Sequence, residues 1–268
     1  MKNEILLLVS TICLISCTDS RKEDNIRGGN CASGIIGGTS VEAADPFAKR
    51  VGLLMADDGS CTATLISPTA LLTAAHCVRG KTNLRVVFGT SAECGNANAS
   101  ANEIRKVVSS RVHENYDSRG FGTKDTSNLK NDIAIVKIEA PVGPEMIISE
   151  IHNGRSQLDT DELIAVGYGD DRENSKEAPR LRRVTKDYDS LRTTDSAQQL
   201  ILLQTESGIC TGDSGGPQFV RSRGQYQILA INSGVMGSNE QDYCHRKAIL
   251  MYAPYFADWI ARTLRGLR

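Results

Sequence analysis

The sequence predicts an all-β fold of the barrel or sandwich type. Three observations carry that expectation. Short apolar runs rich in β-branched residues recur at close spacing from Val51 onward, Gly, Asp, Asn and Ser separate them, and only the tail carries a helical pattern. The runs fall at 51–55, 62–66, 70–74, 84–88, 133–138, 163–167 and 227–231. Each is too short for a helix that buries a face, and each suits a strand. In the tail, over 255–267, Trp259, Ile260 and Leu264 share one helical face, with Arg262, Arg265 and Arg268 turned away. A basic amphipathic helix either lies on a membrane or covers a core, and the second reading is preferred. No internal repeat is visible.

The chain has 268 residues, enough for one large all-β domain or two small ones. Its net charge of −1 points to neither nucleic acid nor an anionic membrane surface as a partner. The beginning has a different character. Lys2 precedes an apolar run from Ile5 to Ile15, which is too short to span a bilayer and suits the apolar region of a signal peptide. The run ends in Leu14-Ile15-Ser16-Cys17, which resembles a bacterial lipobox. Residues 1–16 are then a signal peptide and Cys17 carries lipid; the alternative is plain secretion with Cys17 incidental. A polar stretch from Thr18 to Asn30 cannot bury a core and reads as a tether within 17–34. Of the eight cysteines, Cys13 leaves with the leader and Cys17 is the lipid carrier. The remaining six are Cys31, Cys61, Cys77, Cys94, Cys210 and Cys244, an even number that reads as disulfides in an exported chain.

The chemistry is concentrated in three short motifs. Residues 210–217 read Cys-Thr-Gly-Asp-Ser-Gly-Gly-Pro and place Ser214 among three glycines on a crowded loop. A serine hydroxyl needs a base to take its proton and donors to stabilise the charge that develops. The Gly212 and Ser214 amides are candidates for those donors. Residues 73–77 read Thr-Ala-Ala-His-Cys and residues 131–134 read Asn-Asp-Ile-Ala. Residues 212–216 also fit the G-x-S-x-G elbow of α/β-hydrolases, where the order is serine, acid, histidine. Here the order is histidine, acid, serine, which argues against that fold and against an esterase built on it.

With these motifs the chain resembles the chymotrypsin/trypsin family of serine proteases, from Ile35-Ile36-Gly37-Gly38 to about Trp259-Ile260. The resemblance implies two six-stranded antiparallel β-barrels, at about 35–145 and 150–252, packed across a catalytic cleft, with a closing helix at about 255–266. The join falls between Glu139 and Arg155, which includes Pro141, Gly143, Pro144 and Gly154. It implies Ser214 as nucleophile, His76 as general base and Asp132 as the acid that orients it. The oxyanion hole is then the amides of Gly212 and Ser214. It pairs Cys61 with Cys77 and Cys210 with Cys244, which leaves Cys31 for Cys94; the alternative is that these two stay free or pair with other molecules.

The resemblance further implies a zymogen, in which cleavage before Ile35 creates an α-amino group that pairs with Asp213. Gly34 precedes the cut where the family commonly has Arg or Lys. The pocket floor falls on Gly208 where trypsin-like members have Asp, followed by Ile209 and Thr211. Ser233 matches the family's strand serine near the triad. Gly234 and Val235 then stand where most members have an aromatic residue and a glycine, and Ala248 is expected on the far wall. Such an uncharged, narrow pocket favours small or medium apolar residues before the scissile bond. No cofactor is expected, no cluster has metal-ligand spacing, and His113, His152 and His245 read as ordinary surface or loop histidines. Expected partners are protein or peptide substrates, with a monomeric chain touching membrane only through Cys17. The first rival reading is a binding module on the same fold, which typically loses a triad residue; none is lost here. An adhesin with an intact but unused triad is a further rival.

Overall fold

The computed structural model describes residues 35–91, 104–120, 129–172, 179–237 and 242–267. The expected leader, the tether with Cys17, Cys31 and Gly34, and Cys94 lie outside the described residues.

The elements in chain order are β1 (Thr39–Ser40), β2 (Val51–Ala56), β3 (Gly59–Ser67), β4 (Ala70–Thr73), β5 (Arg85–Phe88), β6 (Ile104–Val112), β7 (Ala134–Ile138), β8 (Glu150–Ile151), β9 (Glu162–Gly167), β10 (Arg182–Asp187), β11 (Leu191–Thr193), β12 (Gln199–Leu203), β13 (Pro217–Ser222), β14 (Gln225–Met236), β15 (Lys247–Tyr252) and α1 (Ala257–Gly266). All seven apolar runs fall in strands, and the tail is the helix α1.

Strands β2, β3, β4, β7, β6 and β5 close into an antiparallel barrel. Leu54, Leu65, Leu71, Val86 and Val136 pack together in its core. Closure leaves this barrel without open edges. The second half is a nine-stranded sheet in the order β1-β10-β9-β13-β14-β15-β12-β11, with β8 paired to β14, and among the described residues only the first barrel is seen closed. The segment after Ile35 also belongs to this sheet rather than to the first barrel: β1 pairs with β10, Thr39 opposite Arg183. The two halves share one apolar core, to which Leu53, Leu72 and Ile133 contribute from the first and Val166, Phe219 and Ile231 from the second. That shared core fixes the halves against each other, and the site lies along their seam.

Helix α1 buries Trp259 and Ile260 and leaves Arg262 and Arg265 exposed. Each buried side chain contributes roughly 2 kcal/mol. Trp259 Nε1–H donates to Glu114 Oε2 at 2.8 Å, and the Lys137 ammonium on β7 donates to the Leu267 carbonyl. The helix therefore covers protein, as the preferred reading required. His152 departs from the surface reading: it is only 4 % exposed. Its Nδ1 accepts the Gly154 N–H at 3.1 Å and its Nε2–H faces the Ser156 carbonyl at 3.2 Å, which shapes the turn between the halves.

Candidate active site

The first barrel brings the acid and the base together by strand pairing. β4 and β7 are antiparallel neighbours with Thr73 opposite Ala134, so the end of β4 meets the start of β7. A short 3-10 turn, Ala75–Cys77, follows β4 and carries His76. Asp132 lies just before β7 and is fully buried. Its Oδ1 accepts the His76 backbone N–H at 2.9 Å, and its Oδ2 accepts the His76 Nδ1–H at 2.7 Å. A carboxylate accepts only, so Nδ1 carries the proton and Nε2 of the neutral ring carries a lone pair.

Ser233 donates a third bond, Oγ–H to Asp132 Oδ2, at 2.5 Å. A register shift between Asn232 and Gly234 in β14 takes Ser233 out of line with β15. Such a bulge re-aims a side chain, and here the hydroxyl is spent on the acid. Buried polar oxygens are satisfied by hydrogen-bond donors, as both Asp132 oxygens are here. The field of Asp132 reaches Tyr116, whose hydroxyl is pushed up to about 12, first by burial and then by the Asp132 charge.

The second sheet brings the serine. The Ser214 loop is pinned from both sides of the seam. Thr62 on β3 donates its N–H to the Ser214 carbonyl at 2.8 Å and its hydroxyl to the Gly212 carbonyl at 3.0 Å. Asn232 Nδ2–H donates to the Asp213 carbonyl at 2.9 Å, and Gly215 N–H donates to the Asn232 carbonyl at 2.7 Å. A Cβ on Gly215, which has φ +79°, would stand 2.1 Å from Thr73 Oγ1. Gly212 has φ +91°, a conformation that L side chains adopt only at a cost. Neither the Gly212 nor the Ser214 N–H donates to another backbone group among the described residues. Two unspent amides beside a nucleophile are what an oxyanion hole requires.

His76, Gly212 and Ser214 line one cleft of about 400 Å³. Ile209, Thr211, Gly234 and Val235 line it too, as the sequence suggested. Gly208, Ser233 and Ala248 do not. Ala248 is fully buried in the core of the second sheet, and Ile249 takes the wall. Gly208 is held by Ile36 through two backbone bonds of 3.0 Å and backs onto Gln204. Sequence reasoning missed Gln204, which is 1 % exposed. Its Oε1 accepts Ile209 N–H at 3.1 Å and its Nε2 donates to the Ile209 and Cys244 carbonyls at 2.8 and 2.5 Å. Behind Ile209, which lines the cleft, stands a neutral amide with its hydrogen bonds satisfied. Gln198 and Gln199 were missed as well: Gln198 Oε1 accepts Asn131 N–H at 2.7 Å and Gln199 donates to the Leu129 carbonyl. Together they clamp the segment before Asp132 to the second sheet.

Two disulfides flank the site. Cys61 is joined to Cys77 and Cys210 to Cys244, the pairs the resemblance implied. By the chain-entropy account each contributes about 3–4 kcal/mol for loops of this size. Ile35 is fully buried, while the Asp213 carboxylate accepts Gly169 N–H at 2.7 Å and Cys210 N–H at 2.9 Å. No hydrogen bond joins Ile35 to Asp213 among the described residues. Burial without a cation pushes the Asp213 carboxyl up to about 7, against the two amide bonds that lower it.

A carboxylate-held imidazole and a serine on a donor-rich turn, across a seam between two β-structures, make up the constellation of a triad serine hydrolase. A family model described as Trypsin matches residues 35–260. The chain belongs to the trypsin family and is a serine endopeptidase. It is 26 % identical over 263 residues to "Serine protease SP24D" of Anopheles gambiae, covering 92 % of this chain and 89 % of that one. It is 28 % identical over 204 residues to "Trypsin" of Saccharopolyspora erythraea, with 70 % and 83 % covered. It is 26 % identical over 239 residues to "Venom serine protease" of Polistes dominula, with 82 % and 81 % covered.

Gly212→Val tests the oxyanion amides. The new side chain strains a turn at φ +91° and displaces one donor. The expected result is a fall in kcat of about 100-fold, with about 1–3 kcal/mol lost from stability, read by peptide hydrolysis and thermal unfolding.

Proposed function

We propose that the protein is an exported endopeptidase that hydrolyses peptide bonds through an acyl-enzyme on Ser214. His76 Nε2 takes the Ser214 proton as Oγ attacks the carbonyl carbon of the substrate. The Gly212 and Ser214 amides stabilise the resulting oxyanion, and Asp132 stabilises the imidazolium. The C–N bond then breaks, and the His76 proton passes to the departing amine. Water, activated by the same imidazole, releases the acyl group and restores Ser214. The observation that carries this reading is the Asp132–His76 pair at 2.7 Å opening onto the cleft that Ser214 lines.

The chain is made as a zymogen, with the new Ile35 α-ammonium pairing with Asp213. A fully buried carboxylate with two amide donors and, among the described residues, no cation supports that role. Disulfides beside the site suit an oxidising compartment. Lipid at Cys17 would keep the precursor on a bacterial envelope, and a Cys31–Cys94 bond would hold the cleaved chain there.

The pocket prefers small or medium apolar residues. Gln204 puts no charge behind Gly208, and Val235 narrows the cleft. Val235→Gly is expected to raise kcat/KM for phenylalanine relative to alanine before the scissile bond by about 10- to 100-fold. A peptide library cut by the activated enzyme tests both statements; cleavage confined to sites after Lys or Arg would sink the assignment.

A further inference from the structure

Three potential metal ligands stand together at the cleft wall. Cys61 Sγ, Cys77 Sγ and a ring nitrogen of His76 all lie within 4.8 Å of one another. In the oxidised chain the two sulfurs are bonded to each other and hold no metal. Once reduced, the group has a different chemistry. Tetrahedral zinc bound by sulfur at about 2.3 Å and nitrogen at about 2.05 Å requires S···N near 3.6 Å and S···S near 3.8 Å. His76 Nε2 already stands 3.6 Å from Cys77 Sγ. Once unbonded, the two sulfurs must part, and Cys61 Sγ, which lies within 4.8 Å of a ring nitrogen of His76, must settle at its ligand distance.

The ring is also already oriented. A ligating histidine ordinarily donates its other ring N–H to a carboxylate, which fixes the tautomer and the ring plane. His76 Nδ1–H does this to Asp132 at 2.7 Å, so the lone pair belongs to the nitrogen beside Cys77. All three residues line the cleft, which gives a reductant and a metal their entry path.

We propose that reduction of Cys61–Cys77 creates a Cys61–Cys77–His76 site for Zn²⁺ or a similar borderline-soft divalent ion, with water in the fourth position. The reductant is a dithiol, or a phosphine that takes the oxygen of a water molecule to become its oxide while the two protons of that water go to the thiols. A dithiol gives two electrons and two protons and becomes a disulfide, while the protein disulfide becomes two thiols. Zn²⁺ then displaces the two thiol protons and takes the His76 Nε2 lone pair, with no further change in oxidation state. Metal capture stands on geometry alone. The consequence, loss of hydrolysis because the base is occupied, rests on His76 being the general base.

The test uses the full chain, reduced with a phosphine that binds zinc weakly, and titrated with Co²⁺. The expected result is one equivalent bound with the intense visible bands of tetrahedral thiolate coordination and two protons released. The Cys210→Ser/Cys244→Ser chain, which keeps both thiol ligands, should give the same spectrum. Cys61→Ser/Cys77→Ser should give none, and His76→Ala, which removes a ligand outright, should shift the bands and weaken binding by more than the roughly 10- to 100-fold that loss of a ligand's supporting partner costs. In the activated enzyme, Zn²⁺ added after reduction should cut peptide hydrolysis at least tenfold, and a chelator should restore it without reoxidation. Thiolate bands with undiminished hydrolysis would uphold the site and count against His76 as the base. Absence of the bands, their persistence in Cys61→Ser/Cys77→Ser, or collapse of the near-ultraviolet circular dichroism on reduction alone would overturn the proposal.

Discussion

Ser214→Ala is expected to lower kcat/KM for a peptide substrate by about 10⁵-fold or more while leaving the unfolding temperature nearly unchanged. The size of the loss follows from the way the three residues act as a unit. Without Oγ there is no acyl-enzyme, and the proton that His76 is placed to take no longer exists. Adding His76→Ala to Ser214→Ala should therefore cost little more, whereas independent contributions would multiply. The neutral effect on stability follows from how the loop is held. Thr62, Asn232 and Gly215 pin it through the carbonyls of Gly212, Asp213, Ser214 and Asn232, and none of those bonds uses the Ser214 hydroxyl. The pair of kinetic and thermal measurements checks both halves of the expectation.

Asp213→Asn is expected to reduce the activity of the Ile35-started enzyme by about 10²–10³-fold, the effect of about 3–5 kcal/mol when one partner of a buried ion pair is removed. The precursor should respond in the opposite sense. In the uncleaved chain the Asp213 carboxyl is raised to about 7, so the folded state holds its proton where the unfolded state, near 3.9, has lost it. The contribution of this group to stability is full below pH ~4 and is lost as pH rises through about 7, on the order of 4 kcal/mol in all. Asp213→Asn should remove that slope from the precursor's unfolding profile. Cleavage should flatten it too, because an α-ammonium beside the carboxylate favours its charged form. An α-amino group titrates near pH ~8 when free, and pairing raises that value. Activity of the mature enzyme should then fall on the alkaline side as the amine loses its proton. An alkaline limb that is the same with and without a free Ile35 terminus would count against the pairing.

The candidate catalytic residues were legible because each sits in a short motif whose residue types the proposed chemistry demands. A serine among glycines, a histidine beside a cysteine and an aspartate before an apolar run are local signals. The first barrel was legible for a similar reason: β2, β3, β4, β5 and β7 are dense apolar runs. β6 was not, because Arg105, Lys106, Ser109, Ser110 and Arg111 interrupt its apolar residues and none of its residues is fully buried. The strand order of the second sheet was not legible either, since which edges meet depends on strand tilt and pairing rather than on composition. The supporting residues left the least trace. Thr62, Gln204, Gln198 and Asn232 are ordinary polar residues in sequence, and their roles arise from contacts made across 5 to 150 positions of chain. Ala248 shows the same limit: a shift of one position along β15 gives the pocket wall to Ile249.

The most direct test of the account treats the protein, cleaved to begin at Ile35, with a fluorophosphonate and locates the adduct by peptide mass. The account predicts a single adduct on Ser214, formed fast in the cleaved chain, slowly in the precursor and not at all in Ser214→Ala. A chain shown to begin at Ile35 that remains unlabelled, or carries its label on another residue, would contradict it.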